Sequence, residues 1–348
     1  MKKLIIISLA LLALLTSCNL DNQGIFAEVI DRTPSDNRKL SVIGLSSTYP
    51  KTLYFSSVNG IEAYDLETPK LTEKERYKTL DDSENARKIS ISLMVDGKIV
   101  YGVTRATQDI VEYTGFYLCD PDAKATKKLS LTGAKPALTG SWDKYAHDSN
   151  GNVYEAVLSG LNLSFNKKCS APEQDAKRFV TRMDNIFVFT SDAYSEKPET
   201  STLLYYLFDG SALMPITGLS NPGKIRSVAK DTDSSIIAVF SSDNASTVYK
   251  ITGTSAEILK GTAVGSKISK NFASFIYDGY LYYTFDKSST VYRMELATGN
   301  TSTDTISKIS NVSIVGYYSY AEGEYRICTS NNGFFKLKIN SDHSVTIN

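Results

Sequence analysis

One phrase of this sequence occurs twice with almost the same residues. TVYKITG begins at Thr247, and TVYRMEL begins at Thr290, 43 residues later. The central aromatic residue of this phrase can be followed through five more units, each preceded by a short apolar stretch. The seven aromatic anchors are Tyr64, Tyr117, Phe165, Tyr206, Tyr249, Tyr292 and Phe335. A recurrence every 40 to 50 residues limits the chain to architectures built from one repeated supersecondary unit.

Turn sequences separate the strands within each unit. Asp96-Gly97, Asp184-Asn185 and Asp278-Gly279 each stand before an apolar strand. Asp, Asn and Gly adopt the positive φ that two-residue hairpin turns require. Each unit therefore reads as four antiparallel strands, the third of which carries the aromatic anchor. Four strands per repeat predict an all-β fold, a β-propeller of seven four-stranded blades; six or eight blades and an all-β sandwich are the alternatives.

The segment DSNGNVY (148–154) resembles the turn-and-strand phrase of NHL-type and sensor-type propellers. This resemblance covers one unit, so it implies the fold and carries no function. Asp148, Asn150 and Asn152 alternate as in a calcium loop, but Gly and an acidic residue are missing from the positions where that loop needs them. A turn that satisfies its own backbone is the better interpretation of these residues.

The first residues, MKKLIIISLALLALLTSC, have the layout of an export signal. Two lysines precede an apolar run of 12 residues, which is too short to span a membrane as a helix. The stretch LLTSC (14–18) resembles the lipobox of bacterial lipoproteins, and this resemblance implies lipidation of Cys18. We therefore expect a signal peptide over 1–17, a lipidated polar tether over 18–39 and the propeller domain over 40–348. Asn19 favours the outer membrane over the inner membrane.

Composition narrows the partners. The chain has 38 basic and 38 acidic residues, so no electrostatic footprint for nucleic acid is present. Three cysteines follow Cys18, an odd number that leaves at least one thiol unpaired within the chain. A Cys119–Cys169 disulfide stays open as an alternative to thiols, and Cys328 reads as a small core residue.

Known catalytic sequence patterns are absent from this chain. GxSxG, HExxH, a Walker loop and paired CxxC are all absent from the sequence. The chain has only two histidines, of which His147 flanks the DSNGN turn and His343 lies near the C-terminus. No catalytic residue, no metal site and no cofactor is therefore expected, and an enzymatic role is disfavoured although carboxylates meeting near the axis stay an alternative.

Two connections are much longer than the others. We assign TRATQDIVEYTG (104–115) and TSDAYSEKPETST (190–202) to the loops between second and third strands of blades two and four. Insertions in repeat proteins cluster on the working face. The candidate binding residues of this rim are Asp109, Glu112, Tyr113, Asp192, Tyr194 and Glu196. The short LSGLN loop of blade three predicts a notch between the two long loops.

The sequence thus predicts a monomeric, membrane-anchored binding or scaffold lipoprotein of the bacterial cell envelope. It recognises a protein or a glycan through one rim of the propeller. A scaffold for outer-membrane protein assembly, similar to the propeller lipoprotein of that machinery, is one alternative. A carbohydrate-active hydrolase is the other.

Overall fold

The computed structural model describes residues 41–45, 52–57, 60–66, 75–78, 87–106, 111–120, 125–172, 177–190, 202–220, 222–232, 234–242, 245–263, 268, 270–285, 287–329 and 334–347. These ranges contain 28 strands and one 3-10 turn, Ser307–Ile309. In this part of the chain, no helix is long and apolar enough to cross a membrane.

The strands fall into sets of four, which we call blades one to seven. Blades one to three contain β1 (Ser41–Leu45), β2 (Thr52–Ser57), β3 (Gly60–Asp65), β4 (Glu75–Lys78), β5 (Arg87–Val95), β6 (Lys98–Ala106), β7 (Val111–Asp120), β8 (Ala125–Thr132), β9 (Leu138–Trp142), β10 (Tyr145–Asp148), β11 (Val153–Ser159) and β12 (Asn162–Cys169). Blades four and five contain β13 (Arg178–Met183), β14 (Ile186–Thr190), β15 (Leu203–Phe208), β16 (Leu213–Pro215), β17 (Lys224–Lys230), β18 (Ser235–Ser241), β19 (Ser246–Thr252) and β20 (Ser255–Ala263). Blades six and seven contain β21 (Ala273–Tyr277), β22 (Tyr280–Thr284), β23 (Thr290–Glu295), β24 (Thr301–Thr305), β25 (Ile314–Ala321), β26 (Glu324–Thr329), β27 (Phe334–Ile339) and β28 (Val345–Ile347).

Every blade is an antiparallel meander in chain order, which confirms the predicted all-β propeller with four strands per blade. The first strands of neighbouring blades contact one another at six of the seams, and β1 contacts both β5 and β25. The first strand of each blade is therefore the innermost strand, and the ring closes between blades seven and one.

The hydrophobic core is divided among the seams between blades. Seven clusters of buried side chains occur in the described ranges, and each joins two neighbouring blades. At the closing seam, Leu53 and Leu66 of blade one pack with Cys328 of blade seven. A single blade buries neither of its faces alone, so the repeats are stable only as a ring.

A β-bulge recurs in the first strands. In six of the seven described first strands, one extra residue interrupts the pairing with the second strand at the same position. These extra residues are Ile43, Ser90, Thr139, Val180, Arg226 and Val315. A bulge bends the strand and increases its twist, so the innermost strands share one distortion at one level of the axis.

Hydrogen bonds supplement the packing at particular seams. β8 leaves blade two and pairs in parallel with β12 of blade three, Ser130–Thr132 against Asn162–Ser164. At the closing seam, the buried Arg326 donates from Nε to the Leu66 carbonyl at 2.7 Å, and its guanidinium lies 4.2 Å from the Tyr320 ring centroid. Among the described strands none is exchanged between blades seven and one, and the contacts at this seam include those of Arg326 and of Leu53 and Leu66 with Cys328.

The strand order corrects the prediction for blade three. NLSFNKK with Phe165 belongs to the fourth strand, β12, and not to the third strand. The third strand is β11, where Tyr154 pairs with Ala146, which pairs in turn with Ser141 of the first strand. Tyr206 occupies the same row in blade four, because it pairs with Phe187, which pairs with Arg182. Tyr154 is therefore the anchor of blade three. The prediction is wrong because it places the first hairpin of the blade at the DSNG turn, whereas the structure has that hairpin at Asp143-Lys144.

The three cysteines in the described part of the chain do not form a disulfide. Cys119 lies on the third strand of blade two, whereas Cys169 lies on the fourth strand of blade three, so their positions in the repeat are not equivalent. Neither is bridged in the structure, and Cys328 is buried on β26 as predicted. Burial raises the pKa of Cys169 and raises that of Cys328 to about 12, which disfavours the reactive thiolate at both.

Candidate binding site on one rim of the propeller

The two rims of the propeller differ in their connections. Turns from first to second strand and from third to fourth strand form one side, which we call the short-turn face. Four of its first turns place an aspartate at positive φ: Asp96, Asp143, Asp184 and Asp278. Three of them, at Asp96, Asp184 and Asp278, are tight hairpins that the sequence predicted, whereas the hairpin at Asp143 was not predicted. The opposite side carries the connections from second to third strand, and we call it the long-loop rim.

The sheet of blade two continues furthest toward the long-loop rim. β6 runs three residues beyond Val103, which pairs with Ile89 just before the bulge. In blades four and five, the second strand ends one residue beyond the equivalent position, at Thr190 and Ser241. β6 is thus two residues longer on this side, and at about 3.3 Å per residue the blade-two hairpin ends roughly 7 Å further out than the second strands of blades four and five.

This extension corrects the length of the first predicted loop. Most of 104–115 is paired strand, with Thr104 opposite Tyr113, Arg105 opposite Glu112 and Ala106 opposite Val111. The connection itself is 107–110, so Asp109 lies outside the described residues. Glu112 and Tyr113 lie on β7 at the raised end of the hairpin. The segment Val111-Glu112-Tyr113-Thr114 alternates an apolar or aromatic residue with a polar one, a strand pattern that the polar composition of the rest of 104–115 concealed.

The second predicted loop lies outside the described residues. β14 ends at Thr190 and β15 begins at Leu203. Asp192, Tyr194 and Glu196 fall between them, and their approach to the blade-two hairpin stays a prediction. Cys18 also lies outside the described residues, as does the tether. The ends of β14 and β15 open onto the same rim as the blade-two hairpin, because both connections join second to third strands.

The notch between the long loops has a different floor from the one predicted. LSGLN (158–162) joins β11 to β12, so it turns on the short-turn face. The blade-three connection on the long-loop rim is 149–152. Its geometry is fixed by Asp148, whose carboxylate accepts bonds from the Asn150 and Asn152 backbone N–H groups, the Asn152 side-chain amide and the Tyr154 hydroxyl at 2.7 to 3.2 Å. The interpretation of a self-satisfied turn is confirmed.

His147 has a packing role beside this turn. It is buried, with Nδ1 3.1 Å from the Asp148 carbonyl, and its ring covers Gly140 on the neighbouring strand. Burial lowers the pKa of His147, and the nearby Arg182 charge acts in the same direction. The imidazole is therefore held neutral in a closed site, which suits a core residue and not an acid–base catalyst.

A cation–aromatic pair at the seam of blades three and four was missed from sequence. The Arg182 guanidinium carbon lies 4.4 Å from the Trp142 ring centroid, and Nη2 donates to the Ser141 carbonyl at 3.2 Å. Desolvation lowers the pKa of Arg182 to about 10, which leaves it charged at neutral pH. Arg182 thus joins two blades as Arg326 does at the closing seam. The single tryptophan of the chain was the available signal.

Metal-binding groups of three or more His, Cys, Asp or Glu side chains do not occur among the described residues. Two partly buried acids, Asp231 and Glu155, form ion pairs with lysines. Asp231 lies 2.9 Å from Lys250, and Glu155 lies between Lys144 and Lys168.

Comparison with known proteins supports the fold. No family model and no curated protein matches the sequence. The chain is similar in structure to a protein described as YCF48 bound to D1 peptide, with a TM-score of 0.54 and 9% identity over 86% of this chain and 93% of the other. It is also similar to YCF48 from Cyanidioschyzon merolae, with a TM-score of 0.53, 9% identity and coverage of 88% and 97%.

A third similar structure is the β-propeller domain of Myceliophteria thermophila Cps50 (Swd1). Its TM-score is 0.51 at 11% identity, and the match covers 90% of this chain and 98% of the other. TM-scores of 0.51 to 0.54 show that these proteins share the β-propeller fold with this chain. At identities of 9% to 11%, the similarity carries no conclusion about function.

Proposed function

We propose that this chain is a lipid-anchored propeller of the bacterial envelope that binds a partner through its long-loop rim. The raised blade-two hairpin carries this proposal, because β6 runs furthest toward that side among the described second strands. It continues three residues past the residue paired just before the bulge, against two for β2 and one for β14 and β18. Binding surfaces on repeat proteins form where variable connections stand on a rigid scaffold. The short-turn face supports the same choice of side, since five of its described turns between first and second strands have only two residues: 96–97, 143–144, 184–185, 278–279 and 322–323.

Partner chemistry follows from the predicted rim. Tyr113 and Tyr194 supply large aromatic contact area, and the acids Asp109, Glu112, Asp192 and Glu196 surround them in sequence. These residues favour a protein segment with basic side chains or a glycan over nucleic acid. The anchor is supported by the LLTSC stretch and its preceding apolar run, with Cys18 as the lipidated residue.

Two variants test the anchor and the rim separately. Cys18→Ser is expected to be exported but recovered in the aqueous phase of a detergent partition, whereas wild type enters the detergent phase. Replacing 191–201 by five polar residues is expected to leave melting unchanged and to abolish capture of the native envelope partner. A matched control replaces the short-turn residues Asp96-Gly97 by Asn-Gly, which keeps the turn. Equal capture by the wild type, the 191–201 variant and the turn control would place the binding surface elsewhere.

A further inference from the structure

We propose that the outer edge of β7 from Val111 to Gly115 binds an extended segment of a partner protein as an added β-strand. This inference rests on the proposed function, and it names both the place of contact and the class of ligand. A sheet edge recognises an extended chain through main-chain hydrogen bonds, and alternate side chains provide specificity.

The edge is open because β8 covers only half of β7. Pairing between them runs from Phe116 opposite Leu129 to Asp120 opposite Ala125. From Ser130 onward, β8 pairs with β12 of blade three instead. Val111–Gly115 therefore has β6 on one side, and no strand of the described ranges pairs with it on the other side.

The composition of this edge differs from that of the outermost strands of blades two, three and four. Natural edge strands are protected against unwanted pairing by charges, especially lysine, by proline and by short length. β8 carries Lys127 and Lys128, β12 carries Lys167 and Lys168, and the three-residue β16 ends in Pro215. The β7 segment reads VEYTG, with three strong strand formers and one charge. It has the residues of an interior strand, and no strand among the described residues pairs with its outer edge.

The size of the edge suits a short peptide. Five residues span about 17 Å, and alternate residues present their N–H and C=O groups away from β6. The bulge in β7 falls within the segment at Thr114, which has no partner on β6. A substitution at Thr114 can therefore alter the outer edge without removing a β6–β7 pair.

The experiment uses the soluble Cys18→Ser chain and a phage-displayed library of 12-residue peptides. Thr114→Pro removes one edge donor at a bulge, where proline is tolerated. Lys168→Pro is the matched control, because Lys168 is the bulged residue of β12, also at an outer edge. Enriched peptides are expected to bind Thr114→Pro at least tenfold more weakly and Lys168→Pro with unchanged affinity. Amide hydrogen exchange of the wild type is expected to slow at Val111–Gly115 when the peptide is bound.

Other outcomes overturn the inference. They are an absence of enriched peptides, equal affinity for both variants, or protection located away from β7. A concentration-dependent dimer that Thr114→Pro abolishes would assign the edge to a second copy of this chain. If Thr114→Pro fails to melt cooperatively, Thr114→Lys replaces it, since a charge on an edge also opposes strand addition. Native-partner capture that persists in these variants but is lost on shortening 191–201 would keep the rim function and refute the added strand.

Discussion

Gly140→Ala tests the strand assignment of blade three through one contact. A Cβ at Gly140 would lie 2.8 Å from Cε1 and 3.2 Å from Cδ2 of His147, with Nε2 closer still. The ring cannot move aside easily, because His147 is buried and lies 5.1 Å from the Phe179 ring and 5.9 Å from the Phe187 ring. Overpacking of this kind typically costs about 1 to 3 kcal/mol of unfolding free energy.

A double-mutant cycle isolates that contact. His147→Ala removes the ring, so Gly140→Ala should cost little in the His147→Ala background, and the coupling free energy should be about 1 kcal/mol or more. Gly316→Ala is the comparison, since its nearest neighbour is the hydroxyl at the tip of Tyr318 at 2.9 Å. We expect it to destabilise less than Gly140→Ala.

Urea unfolding, with every variant made in the Cys18→Ser chain, compares the four proteins of the cycle and Gly316→Ala. Gly140→Ala should lower the transition midpoint with an unchanged slope. If it unfolds like the wild type, or if its cost is the same with and without His147, the imidazole does not cover Gly140. The pairing of β9 with β10, and with it the corrected order of blade three, would then be wrong.

Three further predictions concern stability and chemistry. Arg326→Met should cost about 2 to 4 kcal/mol of unfolding free energy, because it removes a buried charged donor to Leu66 and a ring contact. Arg293→Met, which removes a more exposed ion pair at the neighbouring seam, should cost under about 1 kcal/mol. A cost for Arg326→Met no larger than that of Arg293→Met would refute the role of Arg326 in closing the ring. Burial lowers the pKa of His147, so the unfolded chain binds a proton at this residue at higher pH than the folded chain does. The unfolding free energy should therefore fall as pH drops below about 6.5 toward the folded-state pKa. Urea unfolding measured across this pH range should show a smaller dependence on pH in His147→Gln, and an equal dependence in both proteins would contradict the prediction. Thiol reagent should reach Cys119 and Cys328 only on unfolding, and reductant should leave the melting temperature unchanged; a shift on reduction would indicate a disulfide.

The sequence predicted the fold from the repeat, because turn residues and aromatic anchors are local signals. Tyr206, Tyr249 and Tyr292 occupy the third strands to which the repeat assigned them. The reading failed in blade three, where LTGSW lacks the apolar alternation of a first strand and DSNG imitates a first hairpin. The register there depends on long-range pairing, which a single strand does not encode.

The candidate site was predicted less completely than the fold. Glu112 and Tyr113 are on the expected rim, but as paired strand residues, because hairpin extension depends on the β6–β7 register and not on polar composition. Arg182 and Arg326 were missed since isolated arginines carry no pattern. Their roles depend on carbonyls of another blade, Ser141 and Leu66, the second of which is 260 residues distant in sequence.

Site-specific photo-crosslinking in the native envelope tests the central claim most directly. A photoreactive residue replaces Tyr113 on the long-loop rim in one protein and Asp96 on the short-turn face in another, and both proteins keep the Cys18 anchor. The account predicts that position 113 crosslinks to a discrete partner and that position 96 does not. A discrete crosslink from position 96 with none from position 113 would contradict the assignment of the binding surface to the long-loop rim.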